Sequence, residues 1–164
     1  MINIDGLPLF KSANISLWPI LVQFGCFQPI AVAFFCGRTK PPFDLLLKGF
    51  VAELSVLVQQ GIRIGDHLYS VSITCFTSDA PARAYIKGII HHTGYYSCER
   101  CTKKGTIVNR RRFFDKPQDS GSQNDVVFRR NEYAGKDGDG RSHQTEQSAL
   151  LPLPTNFITD FALD

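Results

Sequence analysis

A chain of 164 residues has the length of one ordinary domain, and its 43% hydrophobic and 20% charged residues exclude wholesale disorder or a fibrous repeat. The formal net charge of +3 is too small to indicate a nucleic-acid partner by itself. The longest apolar run, Ile30 to Cys36, falls far short of the roughly 20 residues that cross a bilayer, so no membrane is expected. Met1 to Asp5 carry no basic stretch of the kind that opens a secretory signal, and the chain is expected to be nuclear or cytoplasmic rather than secreted. The cysteines at 26, 36, 75, 98 and 101 are odd in number with one close pair, which fits reduced thiols better than a disulfide framework.

In chain order, Ile2 and Ile4 alternate with Asn3 and Asp5, the period of a strand that bends or ends at Gly6 and Pro8. Leu17 to Phe24 and Ile30 to Cys36 are apolar runs at hairpin spacing, so three antiparallel strands are predicted. After Pro41-Pro42, the residues Phe43, Leu46, Leu47, Phe50, Val51, Leu54, Leu57 and Val58 make one helical stripe, with Asp44 in the first turn and Gly61 as its stop. Leu68 to Phe76 reads as a fourth strand, and a second helix is predicted to start near Pro81. The order β-β-β-α-β-α is an α/β pattern best satisfied by a mixed sheet with helices against it.

Beyond residue 98 the composition changes. Arg100 to Lys116 holds seven Lys or Arg against one Asp, with Arg110-Arg111-Arg112 before two phenylalanines. Such a strip can pair with phosphates, or it can be a solvated loop. Asp115 to Ser148 is polar and glycine-rich and reads as a long loop or linker. A short apolar tail from Ala149 to Leu163 stops at Asp164 inside what reads as the start of a strand, the pattern of a fragment.

Two carboxylates stand out by placement. Asp5 closes the first strand before Gly6, where backbone can approach a ligand, and Asp79 follows the fourth strand at the turn into a helix. If those strands are neighbours the two converge, and paired carboxylates suit Mg²⁺ or Mn²⁺. Each Asp could equally cap a turn or helix. Cys98-Glu99-Arg100-Cys101 has the spacing of half a zinc site, with His91, His92, His143 and Cys75 as the other soft candidates. Arg83 could order Asp79, contact a DNA phosphate, or form a surface ion pair.

The blocks Asn3-Ile4-Asp5-Gly6-Leu7-Pro8-Leu9-Phe10, Leu17-Trp18-Pro19-Ile20, Asp79-Ala80-Pro81-Ala82-Arg83-Ala84 and Gly94-Tyr95-Tyr96-Ser97-Cys98-Glu99-Arg100-Cys101 come in an order that resembles the catalytic core of DDE transposases of the CACTA (En/Spm) type. The tail from Leu153-Pro154-Thr155-Asn156-Phe157 to Asp164 resembles a later block of that family. The resemblance implies a ribonuclease-H-like core over 1–98, a basic and polar insert over 99–148 and a further core segment over 149–164. It implies DNA as partner, Mg²⁺-dependent cutting and joining of DNA, and Asp5 and Asp79 as the first two catalytic carboxylates and metal ligands. Arg83, Arg110, Arg111 and Arg112 are the expected DNA contacts; Cys98, Cys101 and His143 are the expected ligands of a structural zinc. The third acid of such a site has no match: Glu132 and Glu146 lie in the polar linker, and Asp164 is not assignable to that role. A non-catalytic DNA-binding or interaction protein of the same descent is therefore the alternative, and self-association is left open.

Overall fold

The computed structural model describes residues 1–10, 14–114, 121–135 and 143–162. Its central sheet is mixed. Strands β1 (Ile2–Ile4) and β2 (Leu7–Pro8) both run antiparallel to β3 (Ser16–Val22), which pairs on its other side with β4 (Ile30–Gly37). Ile4 faces Ile20 and Leu7 faces Leu17, so the register continues unchanged across Asp5 and Gly6 and sets them opposite Pro19 and Trp18. The Gln23 amide donates to the Met1 carbonyl, and alternation gives Pro19 the same inward-bonding position opposite Asp5. Proline has no N–H to give, and the ladder lapses there.

Helix α1 (Phe43–Gln60) forms as its stripe predicts: Leu47 and Val51 are buried, and Leu46, Phe50, Leu54, Leu57 and Val58 are half-buried. It stops at Gly61, whose φ of 72° favours glycine. The predicted strand Leu68–Phe76 is not formed as such. A local hairpin of β5 (Ile62–Ile64) and β6 (His67–Tyr69) turns at Gly65-Asp66 and takes up Leu68 and Tyr69, leaving only β7 (Phe76–Thr77) in the main sheet. The turn residues before the alternating stretch drew its first part into this hairpin.

Strand β7 lies parallel to β1, Ile2 level with Phe76 and Asn3 with Thr77. Helix α2 (Ala80–Lys87) follows at once and ends at Gly88, left-handed at φ 65°. A Cβ on Gly88 would collide with the Glu146 carbonyl oxygen. The main-sheet elements β1, β3, β4, α1, β7 and α2 thus appear in the predicted order, a mixed α/β arrangement.

The polar stretch read as a linker is a folded part of the molecule where it is described. Within it, α3 (Asp125–Arg129) is capped by Asn124, and in the basic strip before it strands β8 (Thr106–Val108) and β9 (Arg111–Phe113) make a hairpin. Phe128 is 1% exposed and joins Ile2, Ile4, Trp18, Ile20, Phe76, Ile86, Leu150, Leu153, Phe157 and Phe161 in one core. Its side chain is one of very few large apolar groups in that stretch, which is why composition concealed it. Arg129 holds the following segment by donating to the carbonyls of Leu151, Leu153 and Thr155. Among the described residues no helix is long and apolar enough to cross a membrane.

Candidate metal and nucleic-acid site

Asp5 and Asp79 follow the C-terminal ends of adjacent parallel strands. Asn3 is level with Thr77, and Asp5 and Asp79 each follow two residues on from that pair. Ile2, Ile4 and Phe76 turn into the core, so alternation gives Asn3, Asp5 and Thr77 the opposite face. The Asn3 side-chain amide crosses to β7 on that face, donating to the Thr77 carbonyl and hydroxyl at 3.1 and 3.2 Å. Each carboxylate also has a local role. Asp5 Oδ1 accepts from the Gly6 amide at 2.7 Å, and Asp79 Oδ1 accepts from the Ala82 amide at 2.7 Å as the N-cap of α2. Each of these bonds occupies one carboxylate oxygen.

Gly6 has a different reason from the one expected. A Cβ there would stand 2.6 Å from the Trp18 ring, so the close approach is made by the chain's own indole rather than by a ligand. Trp18, 6% exposed, belongs to the core.

The other described acids near this part of the fold are engaged. Glu99 is clamped between the Arg83 Nε at 2.7 Å and the Lys87 Nζ at 2.6 Å, with all three side chains nearly closed to water. Asp125 accepts from the Phe157 amide and pairs with Arg129, and Asp160 accepts from the Asn156 amide and the Thr155 and Thr159 hydroxyls. Asp164 lies outside the described residues. Among them there is no group of three His, Cys, Asp or Glu that could hold a metal ion. Two hard oxygen donors suit Mg²⁺ or Mn²⁺ in kind, leaving most of the coordination shell to water.

Arg83 is not placed as a DNA contact. It is 4% exposed and gives its guanidinium to Glu99, the Ser78 carbonyl and the Ala162 carbonyl. It fastens the end of β7 to the last described segment, with Arg100 donating to the Phe161 carbonyl beside it. Burial opposes charge on Glu99, but the Lys87 ammonium and then Arg83 overcome it and hold the carboxyl below its usual range. Burial pulls the Lys87 ammonium down, against the attraction of Glu99. Glu99 and Lys87 were missed from the sequence. Lys87 stands four residues after Arg83 on one helix face, and that spacing was the available signal.

Cys98 and Cys101 are free thiols with sulfurs 3.0 Å apart. The His143 expected to join them is 6% exposed, and its Nδ1 lies 3.3 Å from the Gln123 Nε2, which bonds the Cys98 and Cys101 carbonyls at 2.7 and 3.0 Å. Gln123 thus links the histidine to the cysteine turn on one side of the ring, while the His143 Nε2 on the other side is buried with no hydrogen-bond partner. Burial, and then the hydrogen bond to Cys98, pushes the Cys101 thiol up. Among the described residues Cys98, Cys101 and His143 do not form a group of three that could hold a metal ion. His91 and His92 are exposed turn residues with rings 4.0 Å apart.

The expected DNA contacts Arg110, Arg111 and Arg112 sit on the β8–β9 hairpin. Its two-residue turn, Asn109-Arg110, has φ of 50° and 62°, a conformation that favours glycine in the second place. Arg112 stacks its guanidinium 4.0 Å from the centre of the Tyr95 ring. No family model, curated protein or solved structure matches this chain. Fold and site together define a mixed α/β protein with two carboxylates at adjacent strand ends and a separate arginine-bearing hairpin.

Proposed function

We propose that the chain is a ribonuclease-H-like domain of DDE transposase descent that binds DNA through its basic hairpin and a divalent cation at Asp5 and Asp79. The observation that carries this reading is the parallel pairing of β1 with β7, two neighbouring strands after whose ends Asp5 and Asp79 follow. The β-β-β-α-β-α order of the main elements supports the same fold reading. A bound Mg²⁺ or Mn²⁺ would supply charge neutralisation at a phosphate and activation of a water. The chain's own contribution is to set the two carboxylates, with Asp79 fixed by its cap on α2 and Asp5 by its turn onto Gly6.

The second reading, a DNA-binding protein without cleavage, is favoured for activity by one observation: no third acid stands with the pair among the described residues. The proposed function is therefore weak metal binding and non-specific DNA binding, without strand cleavage by this chain. Anisotropy titrations against unrelated duplexes test it. Equal affinities are expected, with a salt dependence that steepens by about 0.9 in log–log slope for each neutralised phosphate. Replacing Arg110, Arg111 and Arg112 by Ala should lower affinity uniformly and flatten that slope. Affinity unchanged by the triple replacement would remove the hairpin from the interface. Metal-dependent nicking, lost in Asp79→Asn, would return the chain to the enzymes.

A further inference from the structure

Between the β8–β9 turn and the turn at His91–Thr93 lies an open pocket of about 350 Å³, lined by His92, Thr93, Ile107, Arg110, Arg111 and Arg112. Three arginines and a histidine are among its lining residues, and no Asp or Glu lines it among the described residues. None of the three arginines forms an ion pair among those residues. Arg112 carries the strongest mark: its Nη1 is closed to water and has no hydrogen-bond partner. A buried guanidinium N–H without an acceptor is costly, and the group is held in place by its stack on Tyr95. The two-residue turn holds Arg110 in a left-handed conformation at the pocket's rim, where glycine would be the easier choice.

We propose that this pocket takes a single phosphate group, with Arg112 as its inner anchor and Arg110 and Arg111 closing over it. A planar fork matches two phosphate oxygens, and exposed arginines complete the charge balance. The inference rests on the DNA reading for its source, one phosphodiester of a bound strand, but the chemistry is that of phosphate and would serve free inorganic phosphate as well. It differs from a diffuse cationic surface in requiring a saturable site and a fork at one position.

The test is a ¹H–¹⁵N titration of the full chain with sodium phosphate, set against sodium chloride at equal ionic strength. Saturable shifts confined to the His91–Thr93 turn and the β8–β9 hairpin are expected with phosphate alone. Arg112→Lys, which keeps the charge and loses the fork, should weaken phosphate about tenfold. Identical shifts in phosphate and chloride, or phosphate affinity unaltered in Arg112→Lys while the remaining spectrum is native, would overturn the proposal. A short duplex added to the phosphate-saturated chain separates the two readings. DNA that displaces phosphate supports both. Phosphate binding without any DNA binding keeps the pocket and removes the DNA reading. DNA binding with no phosphate site overturns the pocket and leaves the DNA reading standing.

Discussion

Asp79 caps α2 with one carboxylate oxygen, and asparagine caps a helix about as well as aspartate. Asp79→Asn should therefore leave urea unfolding nearly unchanged, whereas Asp79→Ala should cost about 1 kcal/mol. Both should weaken Mn²⁺ binding, so a metal effect in the Asn variant cannot be blamed on a frayed helix. Glu99 is the residue whose loss should be felt most. Glu99→Gln leaves Arg83 and Lys87 buried with no countercharge, at a cost of about 3–5 kcal/mol at neutral pH. Its carboxyl is held below the ordinary range, so its contribution is complete above the usual carboxylate pKa and is lost as pH falls through the lowered one. Unfolding of the two proteins compared from pH 7 downward should show the gap closing in acid. A constant gap would show that charge on Glu99 is not what matters.

At the scale of elements, α1 was legible because its stripe repeats over four turns, and its two buried positions fall within that stripe. Leu47→Ala should cost about 2–5 kcal/mol, while Leu45→Ala, on the exposed side, should be nearly silent in thermal unfolding. The break between β1 and β2 was legible as a bend at Gly6, but its cause was not, since Pro19 and Trp18 become its neighbours only through strand pairing. Gly6→Ala should cost about 1–3 kcal/mol by overpacking against the indole. A double-mutant cycle with Trp18→Phe should recover part of that cost, and strict additivity would place the strain elsewhere. The fourth strand differs from its reading because alternation from Tyr69 to Cys75 has the right period, while the Gly65-Asp66 turn commits Leu68 and Tyr69, which follow it, to a hairpin with Ile62–Ile64.

For the whole molecule, the stacked rings of Phe76, Phe161, Phe157 and Phe128, with centroids 4.9, 5.6 and 4.7 Å apart in turn, tie the sheet to residues far beyond the expected core boundary at 98. Lys87 lies over two of these rings and reaches Glu99. A chain cut after residue 98 should lack cooperative unfolding by circular dichroism, because Phe76 and Ile86 lose their cover; a sharp two-state transition in it would contradict a shared core. The sequence marked the two carboxylates because strand ends and a helix start are local signals. It did not mark the burial of Arg83, or the placing of Gln123 between His143 and the cysteine turn, because both depend on segments that meet only in the fold. The pairing of β1 with β7 on which the metal reading depends is most directly tested by Mn²⁺-induced broadening of backbone amide signals in the full chain. A shared ion should broaden Asp5, Gly6, Asp79 and Ala80 first, reversibly with excess Mg²⁺, and the effect should weaken in either Asp5→Asn or Asp79→Asn. Broadening centred elsewhere, or surviving both substitutions, would contradict a cation held between Asp5 and Asp79.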